Sequence, residues 1–366
     1  MRVAFLTMGK DIGGAKQDVI TLSQQIADMG HEVFVLSAPG VMDKELEGTK
    51  VKFIPAEFYT RTPAGLFKAS RELSRIIREN KIELVNPQGF FTAAISWLTR
   101  FGFKRVRIPV MTTIHMFSSL TYYKYANMLN WFSDEIVNES NCERVRLEAG
   151  GAKREIITVI NNSVDMTKFS EENTYPVLRD EYHIAKDDVV FGIVARLSPE
   201  KRHCDYVEAA KIAHGKNPNM KFFIIGDGPM RKEIEMHTAG CDYIILTGMR
   251  RDVPNVLRSL DCFVLCSEVE SLPLSIREAM SMKLPVIVTD VGGNREIVAD
   301  GVTGLLVDAH RPEELAEAML KIASDENIRK DMGERAWRFC KDRFDARDWA
   351  RLTENKMKNM ISNFRK

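Results

Sequence analysis

Short apolar runs rich in β-branched residues alternate with longer helical patterns along the whole of this 366-residue chain. That alternation admits few solutions: parallel strands joined by helices that cover both faces of a sheet. The runs form two series. The first predicts strands at 2–8, 31–38, 51–56, 82–87, 108–115, 135–139 and 156–160, the second at 188–195, 221–226, 243–247, 261–267, 285–290 and 304–308. Between them a polar, turn-rich stretch from Asp165 to Asp188, with Glu171-Glu172-Asn173-Thr174 and Pro176, reads as the interdomain connection. The fold class is therefore α/β, two Rossmann-like doubly wound domains facing each other, with the ligand crevice at the carboxyl ends of the strands. The tail is helical and charged but carries Phe339, Phe344, Trp349, Leu352, Met357 and Met360, which suits a docked segment better than a frayed one.

Charge and cysteine usage exclude several classes. Lys and Arg number 52 against 51 Asp and Glu, a formal net charge of +1, so no global field points to nucleic acid. The six cysteines, Cys142, Cys204, Cys241, Cys262, Cys266 and Cys340, include no Cys-x-x-Cys pair, which argues against a zinc or redox motif and for buried thiols in a reducing cytoplasm. The apolar start, Val3 to Met8, soon meets Gly9, Lys10 and Asp11 and reads as a first buried strand, not a signal peptide. No run approaches the roughly 20 apolar residues of a membrane-spanning helix.

The most informative local feature is a pair of carboxylates. Glu270 and Glu278 flank Ser271-Leu272-Pro273 and precede the apolar run Leu284-Pro285-Val286-Ile287-Val288, which puts one carboxylate in a loop and the other inside a helix. Helical rise would separate them by roughly 12 Å, the span of a nucleotide sugar from ribose to hexose. The helix N-terminus between them offers free N–H groups and the positive end of a dipole to a diphosphate.

Other residues converge on the same strand ends. After the first strand, Gly13-Gly14 would let a ligand approach the N-terminus of a helix over residues 15–29; the spacing of Gly9, Gly13 and Gly14 is not G-x-G-x-x-G, which counts against a dehydrogenase. Arg196 and Lys201, five apart after the strand at 188–195, could converge on one anion, and could equally be a solvated basic loop. Gly226-Asp227-Gly228 makes a strand-end turn, and Gly292-Gly293 with Glu296 follows another strand end at Asp290. His115 closes the strand at 108–115, where it suits either a sugar contact or a structural role. No Asp-x-Asp stands at a strand end to hold a divalent cation across phosphates, so metal-independent chemistry is expected.

Residues 61–107 carry ten Lys and Arg, among them Arg61, Lys104, Arg105 and Arg107, against three acids, a local charge of +7. With Leu66, Phe67, Leu73, Ile76 and Ile77 interspersed, this region fits a basic amphipathic surface for anionic lipid, or an ordinary solvated helix face.

In this order, the motifs resemble the retaining GT-B glycosyltransferases of family 4 over nearly the whole chain. Glu270 to Glu296 follows the family's E-x7-E, helix, P-V-I strand and G-G-x-x-E series; Arg196 and Lys201 match its R-x4-K; Asn161-Asn162-Ser163-Val164-Asp165 matches its N-G-V-D. The resemblance implies an acceptor-binding domain over residues 1–168, completed by a C-terminal helix at 345–366, and a donor-binding domain over residues 169–344. It implies that Arg196 and Lys201 bind the donor diphosphate, Glu278 the ribose, and Glu270 the transferred sugar. His115 would contact that sugar from the first domain, Gly13-Gly14 would approach the phosphate, and backbone near Met249 and Arg250 would hold the base. Gly226, Leu272 and Leu274 complete the implied donor site.

The implied activity is retaining transfer of a hexosyl group, without cofactor or metal, from a UDP-sugar to a glycan or lipid-linked acceptor in cell-surface polysaccharide or glycolipid synthesis. The implied location is cytoplasmic, with the basic region allowing a peripheral position on the inner face of the membrane. The alternatives are a nucleotide-sugar epimerase of the same architecture and a non-catalytic glycosyltransferase-like partner. Departures from the family pattern are Ala195, Arg202 and Ser163, each where a glycine is common, and Ser271-Leu272, where a glycine-containing turn is frequent.

Overall fold

A computed structural model describes residues 1–8, 13–58, 60, 62–101, 106–116 and 124–365. Among these residues thirteen strands form where the apolar runs predict them, with ends displaced by at most a few residues. They divide between two compact units, one of Met1–Ser163 with Ala346–Lys366 and the other of Val164–Asp345.

In the first unit, β1 (Arg2–Leu6), β2 (Glu32–Ser37), β3 (Lys52–Pro55) and β4 (Leu84–Pro87) pair in the order β3-β2-β1-β4. Strands β5 (Met111–Ile114), β6 (Glu135–Asn138) and β7 (Ile157–Val159) follow in the order β5-β6-β7. Every pairing is parallel, and single parallel bridges at Val85 to Val110 and Gln88 to Thr113 link the two groups. The second unit holds one parallel six-stranded sheet, β8 (Val189–Val194), β9 (Met220–Ile225), β10 (Ile244–Gly248), β11 (Cys262–Leu265), β12 (Val286–Thr289) and β13 (Gly304–Val307), in the order β10-β9-β8-β11-β12-β13.

Helices on both faces explain why these strands read as unbroken apolar runs: Val190, Phe191, Ile193, Phe222, Phe223, Phe263 and Val264 are all fully buried. Each such side chain contributes about 1.5–3 kcal/mol by leaving water.

Three expectations change. The polar stretch 165–188 is part of the second unit: Phe169 and Leu178 are buried in its core, Leu178 N donates to Ser259 Oγ at 2.9 Å, and Arg179 pairs with Asp261 at 2.6 Å. The chain passes between units at Ser163–Val164, before the expected residue 168, because Val164 already sits in the second core and its N–H donates to Phe344 O. The tail divides: Phe344 is buried in the second unit, whereas Trp349, Ala350, Met357 and Ile361 of the helix Ala346–Arg365 pack against Val19, Leu22 and Ile26 of the helix Gly14–Asp28 in the first. Leu352, counted above among the docking residues, is exposed.

Candidate functional site

The strand order of the second unit reverses between β8 and β11, the point at which doubly wound sheets bind ligands. Two of the predicted residues, Lys201 and Glu270, meet there. The chain leaves β8 at exposed Arg196 and makes a short turn at Pro199–Lys201. Across the switch point, Lys201 Nζ lies 2.5 Å from Glu270 Oε1, in the loop after β11. Ser267 Oγ donates to the same Oε1 at 2.6 Å, and Glu270 is nearly buried. A carboxylate in such a place needs charge-assisted partners, and the surrounding loop supplies a frame for them. Thr289 Oγ1 donates to Ser267 O, Asn294 Nδ2 donates to Thr289 O, Glu268 N donates to Glu200 O, and the Cys266 thiol reaches Lys201 O and Arg202 O at 3.4 and 3.2 Å.

Gly292 has a structural reason to be glycine: its φ is +57°, and a Cβ there would stand 1.8 Å from Glu270 O. The backbone after β12 therefore lies directly on the backbone of Glu270. Gly226 is similar, with φ +146° and Ala195 O 2.0 Å from where its Cβ would be, so the turn after β9 presses on the segment leading to Arg196. Of the departures from the family pattern, only Arg202 is left-handed, at φ 52°. It retains that conformation with a fork onto Asp205 at 2.9 and 3.1 Å.

The helix Leu274–Ser281 starts between the two carboxylates, as expected. Leu272 is buried, so it can meet a ligand only through its backbone, and Leu274 is the half-buried first residue of the helix. Burial raises the pKa of Glu278 to about 7, against the opposing charges of Lys168 and Arg277. Arg277 escaped the sequence reading. It is fully buried, donates from Nη2 to Leu272 O at 3.0 Å, and lies over the Phe344 ring, so it fixes the turn that precedes the helix. The available signal was a cation at a position packed among Ile276, Ala279 and Met280.

Met249 is exposed beyond β10, and Arg250 is held between Glu181 and Asp252, both at 2.8 Å, which raises its pKa further. The guanidinium is thus committed to its own unit, leaving the backbone of 249–250 as the part able to meet a base.

In the first unit, Gly13 is the N-cap of the helix Gly14–Asp28, and a Cβ on either glycine would meet nothing within 4 Å. Gly9, Lys10 and Asp11 lie outside the described residues. His115 follows β5 as predicted, but both its nitrogens have partners: Nδ1 bonds Glu139 Oε1, with Asp18 Oδ2 at 3.8 Å, and Nε2 meets Gln88 Oε1 at 2.8 Å. Asn162 of the N-x-V-D stretch donates to Asp18 Oδ2 at 2.7 Å. These groups line a cavity of about 20 Å³, room for about one water. Sequence reasoning missed Asp18, although an acid spaced four and eight residues from Leu22 and Ile26 stands on the apolar stripe of its helix.

Among the described residues, two clusters have spacing that a metal could use, Asp18/His115/Glu139 and Cys204/Glu233/His237. In the second, the thiol pKa is raised by burial and by Glu233.

The basic region is more committed than its composition suggests. Leu73, Ile76 and Ile77 of the helix Pro63–Asn80 are buried in the core of the first unit, and Leu66 packs against it. Arg100 makes two 3.0 Å bonds to Asp134, and Arg75 pairs with Glu79. Phe67 is the exposed apolar residue of that set. Arg61, Lys104 and Arg105 lie outside the described residues. No helix among the described residues is long and apolar enough to cross a membrane.

Comparison with known proteins matches residues 12–168 to the family model Glycosyltransferase Family 4 and residues 175–339 to Glycosyl transferases group 1. The chain is 33% identical over 177 residues, 46% of each chain, to the UDP-Gal:alpha-D-GlcNAc-diphosphoundecaprenol alpha-1,3-galactosyltransferase of Escherichia coli. It is 25% identical over 355 residues, 90% of each chain, to the N-acetyl-alpha-D-glucosaminyl L-malate synthase of Bacillus anthracis. Its fold matches that of HepE from Anabaena, solved with UDP and glucose, at a TM-score of 0.87 and 20% identity over 98% of this chain and 100% of that one.

Proposed function

The chain belongs to the GT-B glycosyltransferases, its two halves matching the family 4 and group 1 models, and from that premise we propose that it is a retaining, metal-independent hexosyltransferase using a UDP-sugar. The carrying observation is the Lys201–Glu270 pair at 2.5 Å, set at the strand-order reversal of the second unit, with Arg196 exposed just after β8. A diphosphate arriving there would compete with Glu270 for Lys201, gain Arg196, and meet the N-terminus of the helix Leu274–Ser281. Glu278 then accepts from the ribose hydroxyls, and backbone at 249–250 holds the base. UDP is favoured by the names of the relatives, since the E. coli enzyme is named for UDP-Gal and HepE was solved with UDP.

In the proposed reaction the bond between the anomeric carbon and the phosphate oxygen breaks with its electron pair staying on phosphate. The acceptor oxygen bonds the same face of the sugar and passes its proton to the departing phosphate. Arg196, Lys201 and the helix N–H groups stabilise the charge that develops there. Glu270, released from Lys201, faces the oxocarbenium-like sugar. The acceptor is a glycan or a lipid-linked saccharide, in keeping with the diphosphoundecaprenol acceptor in the E. coli relative's name.

Transfer assayed with UDP-, GDP- and ADP-sugars in the presence of EDTA tests this reading. Turnover from one UDP-sugar, undiminished by EDTA and with the anomeric configuration retained, is the expected result; dependence on added Mg²⁺ or an inverted product would refute it. Lys201→Ala should lose on the order of 10²–10³ in turnover while still melting cooperatively.

A further inference from the structure

Two neighbouring helices of the second unit, His203–Lys216 and Arg231–Thr238, turn matching pairs of side chains toward each other. Cys204 and Glu208 stand one turn apart on the first, Glu233 and His237 one turn apart on the second, so each pair lies along one face of its helix. The pairs meet rung by rung: Cys204 Sγ is 3.6 Å from Glu233 Oε1, and His237 Nδ1 is 3.9 Å from Glu208 Oε1. Ligand atoms of Cys204, Glu233 and His237 all lie within 4.8 Å of one another. Donor residues one turn apart on facing helices are how helical proteins assemble metal centres.

The local chemistry suits a cation. A thiol beside a carboxylate offers it one weak S–H bond. Among the described residues no Lys or Arg pairs with Glu233, and its neighbour Arg231 is taken by Asp227 and Glu235. Sulfur, imidazole nitrogen and carboxylate oxygen together select a borderline ion such as Zn²⁺ over Mg²⁺ or Ca²⁺, which take oxygen ligands. A thiolate and a carboxylate balance its two charges. Cys204 is half-buried while Glu233 and His237 are exposed, so the ion can enter from solvent and water can complete four-coordination. Glu208, which also pairs with Lys211 at 2.9 Å, stands beside the ring as the outer carboxylate that orients a ligating histidine.

We propose that Cys204, Glu233 and His237 form a zinc site, which clips the helix Arg231–Thr238 to the first turn of the helix His203–Lys216. On binding, the Cys204 S–H bond breaks, its electron pair going to the ion and its proton to solvent. The ion is a brace with no part in sugar transfer, and the site stands independently of the glycosyltransferase reading. The sequence hides it because 29 positions separate Cys204 from Glu233, far outside any Cys-x-x-Cys motif.

The test uses the full chain, stripped with EDTA and kept reduced, titrated with Co²⁺, whose spectrum reports its ligands, and then with Zn²⁺. One Co²⁺ per chain should bind with the visible bands of a tetrahedral ion and the near-ultraviolet band of a cobalt–thiolate bond. One equivalent of Zn²⁺ should displace it and raise Tm. Cys204→Ser should lose the thiolate band. His237→Ala should lose the Tm rise and about 100-fold or more in affinity. Cys142→Ser and Cys241→Ser, at the other two half-buried thiols, should keep both signals. Glu233→Gln, at an exposed position, should weaken binding as His237→Ala does, and these two variants carry the test should Cys204→Ser fail to fold. Absence of stoichiometric binding, binding without a thiolate band, a band that survives Cys204→Ser, or a Tm rise that survives His237→Ala would each overturn the proposal. No sugar donor enters these measurements, so failure of the zinc site and failure of the glycosyltransferase reading are separate results.

Discussion

Arg202 shows how a departure from a family's residue pattern acquires a physical meaning. Its φ of 52° places an arginine in a region that costs side-chain-bearing residues roughly 1–2 kcal/mol, while its surface fork onto Asp205 returns about 0.5 kcal/mol. Arg202→Gly should thus raise stability by about 1 kcal/mol in urea melts; a loss of stability would mean that the ion pair outweighs the backbone term. The other replaced glycines, Ser163 and Leu272 among them, lie outside the left-handed region and carry no such penalty. Glu278 makes a pH prediction. Its pKa of about 7 exceeds the ordinary 4.5, so the folded protein holds that proton more tightly than the unfolded chain does. Its contribution to stability is best at low pH and declines as pH rises from about 4.5 through 7. Donor binding should run the opposite way, because the ionised carboxylate is the better acceptor for two ribose hydroxyls. UDP affinity should rise between pH 6 and 8 in the native protein and stay flat in Glu278→Gln, as read by calorimetric titration. Flat profiles for both would remove Glu278 from the ribose.

At the level of elements, the strands were legible because a parallel sheet covered on both faces needs continuous apolar runs, and those runs are local in sequence. The strand-end loops were legible as glycine and charge patterns, but their mutual contacts were not. Nothing local in Gly292-Gly293 says that the first glycine lies on the backbone of Glu270, 22 residues earlier, nor that the thiol of Cys266 supports the turn carrying Lys201. The polar stretch after Asp165 misled for the same reason: its two anchors, Phe169 and Leu178, are sparse in sequence and decisive in packing. Gly292→Ala tests the contact between loops. The new methyl must displace Glu270 while residue 292 stays at φ +57°, so transfer should fall at least tenfold and stability by 1–2 kcal/mol or more. Gly293→Ala, at φ −87°, should be far milder; equal losses from both would argue against the contact.

For the whole molecule, the chain path makes a sharper claim than the motifs do. The second unit is continuous from Val164 to Asp345, and its ends meet, Val164 N donating to Phe344 O at 3.2 Å. The first unit is discontinuous: its sheet needs the final helix, whose Trp349, Ala350, Met357 and Ile361 cover the helix Gly14–Asp28. That helix also supplies Lys356 to Glu135 at 2.6 Å and Glu354 to His31 at 2.5 Å. A chain ending at residue 345 should therefore expose an apolar face and lose the cooperative melt of the first unit. The isolated segment 164–345 keeps Arg196, Lys201, Glu278 and the backbone of 249–250, lacking only Gly13-Gly14 of the residues named for the diphosphate, ribose and base, along with an intact core. It should fold alone, melt cooperatively and gain thermal stability with UDP, because a ligand of the folded state raises stability by mass action. Lys201→Ala in the same segment should lose that gain. A segment that folds without responding to UDP would show that nucleotide binding needs residues of the first unit, and the donor assignment would have to be redrawn around Gly13-Gly14.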